Sequence, residues 1–467
     1  MSQISDIIDG VKSARKSSES IVKEAIERAK ASVDFNAVLS LAEDRALERA
    51  RAIDRAVSEG EAVGRLAGVP FIAKDNFLTF GTTTTAAAKI LENFQAPIQA
   101  TAIERLEAEG AIMIGKANLD AFAHGGSTEN SAFGVTKNAI DQTRVAGGSS
   151  GGSAVAVALN IVPFTLGSDT GGSIRQPAAF NGVYGIKPTY GAVSRFGVVA
   201  MASSTDVIGC FTRNVDDMSL VMDILSGPDQ HDMTTVERVS MRLEDVGKLR
   251  IGVIDETVGD EVQPEIKLAV GSFSEQLRSA GHTVDHVSLP LTKYALAMYY
   301  IIVPAEVSSN LARYDGVRYG QRAENAKTLS EVYGKSRDLG FMTENKRRIM
   351  IGSYVLSSGY FDAYYEKAQK ARTLLIMAFN KLFEKYDILL TPTTPTTAFK
   401  IGANTNDPIK MYLADTMTVP ASLAGLPALN IPFGEDENHL PIGMQLIGKQ
   451  RSDSLLMSLA RSLSEER

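Results

Sequence analysis

The sequence predicts an α/β protein: a mixed, twisted sheet with helices on both faces. Three observations lead there. Short apolar runs of strand type alternate with stretches of helical periodicity along the whole chain. No period of 20 to 50 residues recurs, which excludes a solenoid. No long Pro- or Ser-rich linker divides the chain, and its 467 residues, 44% hydrophobic and 22% charged, suffice for a sizeable core. Length alone would allow about three domains. The missing linker favours one, spanning residues 1–467, with residues 1–60 as an N-terminal helical region within it.

The elements follow in order. Residues 17–60 place Ile21, Ala25, Ala29, Leu39, Leu41, Ala46 and Ala50 near helical spacing among charged residues, with Ser18 a candidate cap. Residues 68–73 (GVPFIA) form a short apolar run of strand type. A helix over 102–109 leads to a second strand at 111–114 (AIMI). The run 154–159 (AVAVAL) fits a helix or a buried strand equally, because short apolar runs do not decide. Residues 249–254 (LRIGVI) read as a strand, followed by a helix over 263–279 closed by Gly281, and by a strand over 282–289. Residues 361–385 read as one amphipathic helix leading into the strand 387–390, which Pro392 ends. Residues 429–432 and 444–447 are further strands. The polar segment 228–246 is the one place where two lobes could be joined.

Charge and cysteine content exclude several functions. Lys plus Arg number 48 and Asp plus Glu 55, a net charge of −7, which argues against a surface that itself grips nucleic acid or anionic lipid. The single cysteine, Cys210, allows no intrachain disulfide and no cysteine metal cluster, and fits a reducing cytoplasm. Residues 1–20 lack the apolar centre of a secretory leader. The longest apolar stretch, 154–164, is interrupted by Asn160 and Pro163 and is too short to span a bilayer.

Seven glycines fall between Gly147 and Gly172, and there the chemistry concentrates. Three stretches stand out: Ile72-Ala-Lys-Asp-Asn76, Gly147-Gly-Ser-Ser-Gly-Gly-Ser153 and Gly167-Ser-Asp-Thr-Gly-Gly-Ser-Ile-Arg-Gln-Pro177. A Gly/Ser run that enters an apolar segment, as this one does, brings backbone close to a ligand rather than bridging solvent. Residues 169–173 (DTGGS) offer successive backbone N–H groups unobstructed by side chains, as an oxyanion hole requires, and end in a serine suited to nucleophilic attack. A serine nucleophile needs a base. None of the five histidines (His124, His231, His282, His286, His439) lies in these stretches. Lys74 ends an apolar run, and desolvation there would lower its pKa toward neutrality.

Together these stretches resemble the amidase signature family and imply its fold. The intervals of 75 residues from Lys74 to Ser149 and 24 from Ser149 to Ser173 are those typical of the family. The resemblance implies a Ser–cis-Ser–Lys set: Lys74 as base, Ser149 as the bridging serine on a cis peptide bond, and Ser173 as nucleophile. It also implies an oxyanion hole from the N–H groups of Thr170, Gly171, Gly172 and Ser173. Asp169 and Arg175 would brace the loops, the catalytic loops lying at one edge, with no metal.

Residues 125–134, 308–320, 346–370 and 415–432 resemble in particular the glutaminase subunits that serve tRNA-dependent amidotransferases. That likeness implies glutamine as substrate, with Arg348 on the α-carboxylate, Asp415 on the α-ammonium and Tyr299 a further contact. It implies two further subunits, of the B and C types, in a heterotrimer. The tRNA, ATP and Mg2+ would be held by the larger partner, and no cofactor by this chain. From the residues alone, Arg348 reads as a solvated helix face and Asp415 as a helix cap. One departure stands out: the family's usual Asp-Glu-Phe-Ala-Met is here Asp120-Ala121-Phe122-Ala123-His124, so a glutamate near the ammonia path is alanine.

Other readings compete. A stand-alone amidase would share the catalytic set. Gly147–Gly151 and Gly148–Gly152 match the G-x-S-x-G nucleophile elbow, which needs a strong preceding strand and a late histidine, here His439. Residues 110–116 match most of a phosphate-binding loop, but Ala117 stands where a hydroxyl must bind magnesium. Ser13-x-x-Lys16 and Ser20-x-x-Lys23 match S-x-x-K without its companion motifs. His282 and His286 lie on one predicted face without a third ligand and read as surface residues.

Overall fold

A computed structural model describes residues 2–405 and 407–465. Eleven strands form a single sheet: β1 (Val38–Leu41), β2 (Pro70–Lys74), β3 (Ile112–Ala117), β4 (Phe164–Asp169), β5 (Tyr184–Lys187), β6 (Val207–Thr212), β7 (Arg250–Ile254), β8 (Thr283–Val287), β9 (Ile388–Pro392), β10 (Ala428–Glu435) and β11 (Pro441–Gly448). Their order is β1-β3-β2-β4-β6-β5-β10-β11-β9-β7-β8. The triplets β3-β2-β4 and β9-β7-β8 are parallel, and the pairings from β4 through β6, β5, β10 and β11 to β9 are antiparallel.

Alternation along the strands shows that both faces are covered. On β2, Phe71 and Ala73 join an apolar cluster with Ile103, Met218 and Met222. Ile72 points the other way, among Val22, Ile26, Ala46 and Ala156. On β9, Ile388 and Leu390 face the first cluster while Leu389 joins another with Ile302 and Phe379.

Several elements differ from the sequence reading. The helical stretch 17–60 is broken by β1, which pairs antiparallel with β3. Its Leu39 and Leu41 obey strand pairing despite their helical spacing, and Ser17 rather than Ser18 caps the helix Ser18–Ala31 before it, accepting from Ser20 N–H. The run 154–159 proves helical, in Gly151–Ala158. Residues 361–385 divide into a wider π-type turn, Phe361–Glu366, and the helix Lys367–Leu382. β4, β5 and β6 carried no clear sequence signal. The segment 228–246 is no free linker, since Val239 and Met241 are buried in the main cluster. The match to a phosphate-binding loop at 110–116 is mostly strand β3. His282 is buried, its Nδ1 accepting the Leu249 N–H, while His286 is exposed beside Asp255.

Lys116 shows how tightly the first parallel triplet is set. Its ammonium is fully buried, 2.8 Å from Asp75 Oδ1 and 2.8 Å from Phe77 O. Asp75 also accepts the Thr85 N–H at 3.0 Å and the Thr85 hydroxyl. Removing one partner of a buried pair strands the other charge. Lys116→Met is expected to lower unfolding stability by about 3–5 kcal/mol in urea titration, and adding Asp75→Asn should restore part of it. An unmoved midpoint in the single variant would refute the pairing.

Candidate active site

β2 and β4 are parallel neighbours in register Phe71↔Phe164, Ile72↔Thr165, Ala73↔Leu166. Their carboxyl ends therefore deliver Lys74 and the loop after Asp169 to the same place, where open α/β sheets bind ligands. These are interior strands, so the loops sit at strand ends and not at a lateral edge of the sheet. Lys74 is fully buried, with Nζ 2.7 Å from Ser149 Oγ, 3.0 Å from Ser168 Oγ and 3.3 Å from Ser168 O. Burial lowers its pKa to about 7, against the pull of the Asp120, Asp169 and Asp206 carboxylates. Desolvation outweighs three nearby negative charges, and the amine is poised to act as a base.

Ser149 arrives on the Gly/Ser loop, and the Gly148–Ser149 peptide is cis. The loop is held from several sides. Gly148 N–H donates to Gln176 Oε1 at 2.8 Å, Thr128 Oγ1 donates to Gly147 O at 2.7 Å, and Asp120 N–H donates to Ser149 O at 3.2 Å. Asp120 is buried, and its carboxylate accepts the N–H groups of Ser127, Thr128 and Asn130. Its pKa is raised to about 6 by desolvation. The helix that follows can start only with glycine: a Cβ on Gly152 would lie 2.4 Å from Ala37 O and 2.6 Å from Asn118 N.

Ser173 ends the neighbouring loop and is stitched to the first by Ser150 N–H donating to Ser173 O at 3.1 Å. Lys74 and Ser149 are fully enclosed, whereas Ser173 keeps 8% exposure, so it is the serine a substrate can reach. Asp169 and Arg175 form a buried bidentate pair, with Nε–Oδ2 3.0 Å and Nη2–Oδ1 2.9 Å. Arg175 extends to Thr418 O, Gln445 Oε1 and Ser422 Oγ, tying the loop to the C-terminal part of the sheet. Asp169 Oδ1 also accepts the Gly172 N–H at 2.8 Å. That N–H, expected among the oxyanion donors, is therefore committed to the brace, which leaves Thr170, Gly171 and Ser173 as candidates. Gly172 has φ +144°, and a Cβ there would lie 2.2 Å from Thr418 Oγ1.

A cavity of about 310 Å³ opens beside Asp120. Arg348 and Asp415 both line it. Arg348 is no solvated face. It is buried, bonded to Glu344 Oε1 at 2.9 Å, and its guanidinium lies 5.1 Å from the Tyr300 ring and 5.6 Å from that of Tyr412. Asp415 is no side-chain cap: its backbone carbonyl accepts from Thr418 and Val419, while its carboxylate has no hydrogen-bond partner among the described residues. Desolvation raises its pKa to about 7. Tyr299 packs against Gly171 of the nucleophile loop, while its neighbour Tyr300 lines the cavity.

A model of the family described as Amidase matches residues 20–457. The chain belongs to the amidase family. As such it is an enzyme, and its mixed sheet is the amidase fold. Relatives include the A subunit of the glutamyl-tRNA(Gln) amidotransferase of Symbiobacterium thermophilum, 51% identical over 91% of this chain and 88% of that one. Its counterpart of the same name in Sulfurihydrogenibium sp. is 50% identical over 98% and 95%. The crystal structure of the A subunit of glutamyl-tRNA(Gln) amidotransferase from Thermotoga maritima is similar with a TM-score of 0.80 and 40% identity, over 96% of this chain and 91% of that one.

The nucleophile-elbow reading fails on geometry. No strand directly precedes the Gly/Ser loop, and His439 lies exposed between β10 and β11, bonded to Glu435. Sequence reading missed Ser168, Gln176, Glu344 and the tyrosines around Arg348. Ser168 lay within a stretch already singled out. Glu344 was detectable four residues before Arg348, the spacing of a helical ion pair. The tyrosines come from distant segments and had no local signal.

An amine that must be neutral to accept a proton loses activity as pH falls through its pKa. kcat/KM for amide hydrolysis is expected to fall about tenfold per pH unit below about 7. A profile flat from about pH 6 to 9 would refute Lys74 as the base.

Proposed function

We propose that this chain hydrolyses glutamine to glutamate and ammonia, as the glutaminase (A) subunit of a tRNA-dependent amidotransferase. The observation that carries the reading is the pair of opposite charges, Arg348 and Asp415, lining the cavity beside Asp120. Glutamine is a zwitterion, and Arg348 answers its α-carboxylate as Asp415 answers its α-ammonium. An arriving ammonium adds a further opposite charge beside Asp415, drawing its raised pKa back down. The relatives' shared name supports the same reading.

In the proposed mechanism, neutral Lys74 takes the proton of Ser149, which takes that of Ser173. Ser173 Oγ attacks the side-chain amide carbon, and the oxyanion is met by the N–H groups of Thr170, Gly171 and Ser173. The relay returns the proton to the leaving nitrogen and ammonia departs. Water then adds to the acyl-enzyme, the relay acts again, and glutamate leaves. Tyr299 backs the loop through Gly171, and Asp169 with Arg175 keeps it rigid. We read residues 1–467 as one amidase domain, a view supported by the extent of the family match and the continuous sheet.

In the proposed heterotrimer, a larger partner of the B type binds tRNA, activates misacylated Glu-tRNA(Gln) with ATP and Mg2+, and receives the ammonia. Asp-tRNA(Asn) would be served by the same chemistry. A small third partner, of the C type, completes the complex in the cytoplasm. No described helix is long and apolar enough to cross a membrane. A free-standing amidase is the second reading, favoured by Ala121 in place of the family glutamate.

Glutaminase assays of Ser173→Ala and Lys74→Ala, with and without the partners, test the proposal. Each variant is expected to lose at least about a thousandfold in kcat, and the wild type to gain activity with the partners. Near-wild-type activity in either variant would overturn the mechanism. Hydrolysis of diverse amides with no gain from partners would overturn the amidotransferase assignment.

A further inference from the structure

His124 is a buried titratable group that the mechanism above does not use. It is fully buried and lies in the wall of the cavity that holds Arg348 and Asp415. Its Nδ1 lies 2.6 Å from Asn345 Nδ2. The orientation of that amide is set by its other bonds: Oδ1 accepts the Met342 N–H at 3.1 Å, and Nδ2 donates to Ala121 O at 2.7 Å. Nδ1 of His124 is therefore an acceptor, and the neutral ring carries its proton on Nε2. Burial, and then the Arg348 charge, hold the imidazole well below its ordinary pKa, so it stays neutral at physiological pH. Nε2 has no hydrogen-bond partner among the described residues, yet a buried N–H is a donor that calls for one.

We propose that His124 is a positioning residue for the substrate carboxylate, its Nε2–H donating to a carboxylate oxygen alongside the Arg348 guanidinium. The inference rests on the glutamine reading above. Glutamine carries three polar groups. Its side-chain amide must lie against Ser173, and its ammonium offers no acceptor, so the carboxylate is the group left to receive this N–H. The ring and Arg348 line the same cavity. A neutral donor there adds a hydrogen bond without placing a second cation against the arginine.

The test compares glutamine with 4-aminobutanamide, which is glutamine without its carboxylate, in the full chain together with its partner subunits. His124→Met is expected to raise KM for glutamine about tenfold while kcat stays within about twofold. Its kcat/KM for 4-aminobutanamide should not change. His124→Gln keeps a side-chain N–H of similar reach and is expected to recover most of the glutamine KM. Should His124→Met fail to fold, His124→Phe repeats the comparison. Equal losses on the two amides, or an unmoved glutamine KM, would overturn the assignment of His124. A wild type that does not cleave glutamine would instead overturn the functional reading on which it rests.

Discussion

The burial of one lysine is the constraint on which the site depends. At the carboxyl end of β2, Lys74 Nζ is enclosed among Ser149, Ser168 and the strand ends. Water is excluded, and the cost of carrying a charge there brings the pKa to about 7 although three carboxylates oppose it. A lysine in water would be almost wholly protonated at neutral pH and useless as a base. The parallel register of β2 and β4, the close-packed Gly151–Ala158 helix and the small residues of both loops all serve that enclosure.

Enclosure requires loops that hold their shape, and the structure supplies this with long-range polar ties. Arg175 is paired to Asp169 and bonded to Thr418, Ser422 and Gln445, so the nucleophile loop is fastened to chain more than 240 residues away. Asp120 gathers three N–H groups of the 127–130 turn beneath the Gly/Ser loop. The same brace takes up the Gly172 N–H, which donates to Asp169 Oδ1. Across the cavity, Arg348 is held by Glu344 and the faces of Tyr300 and Tyr412, its charge presented in a fixed place.

Much of this was legible in the sequence, and what was not has identifiable causes. Lys74 and Ser173 lie in short motifs whose chemistry is local, so their residue types pointed to a base and a nucleophile, whereas Ser149 as the bridging serine and the meaning of the intervals followed from the family resemblance. Arg348 and Asp415 followed only from family resemblance, because a basic run on a helix and a lone aspartate carry no local sign of burial. The α/β class was readable from alternation, but β4, β5 and β6 were not. They are short and buried on both faces, and lack the polar alternation that marks a half-exposed strand. β1 was hidden by leucines that also fit a helical repeat. His124 was visible as a departure from the family pattern, but its unpaired Nε2 emerged only with Asn345, more than 200 residues away.

Desolvation brings the Lys74 amine to a pKa of about 7, so that a large share of it is neutral near physiological pH. The direct measurement is an NMR titration of the protein with isotope-labelled lysine side chains, the Lys74 signal being identified by its loss in Lys74→Met. An inflection near 7 is expected, well below those of the exposed lysines. A Lys74 signal that stays protonated to about pH 10, like an ordinary lysine, would contradict it.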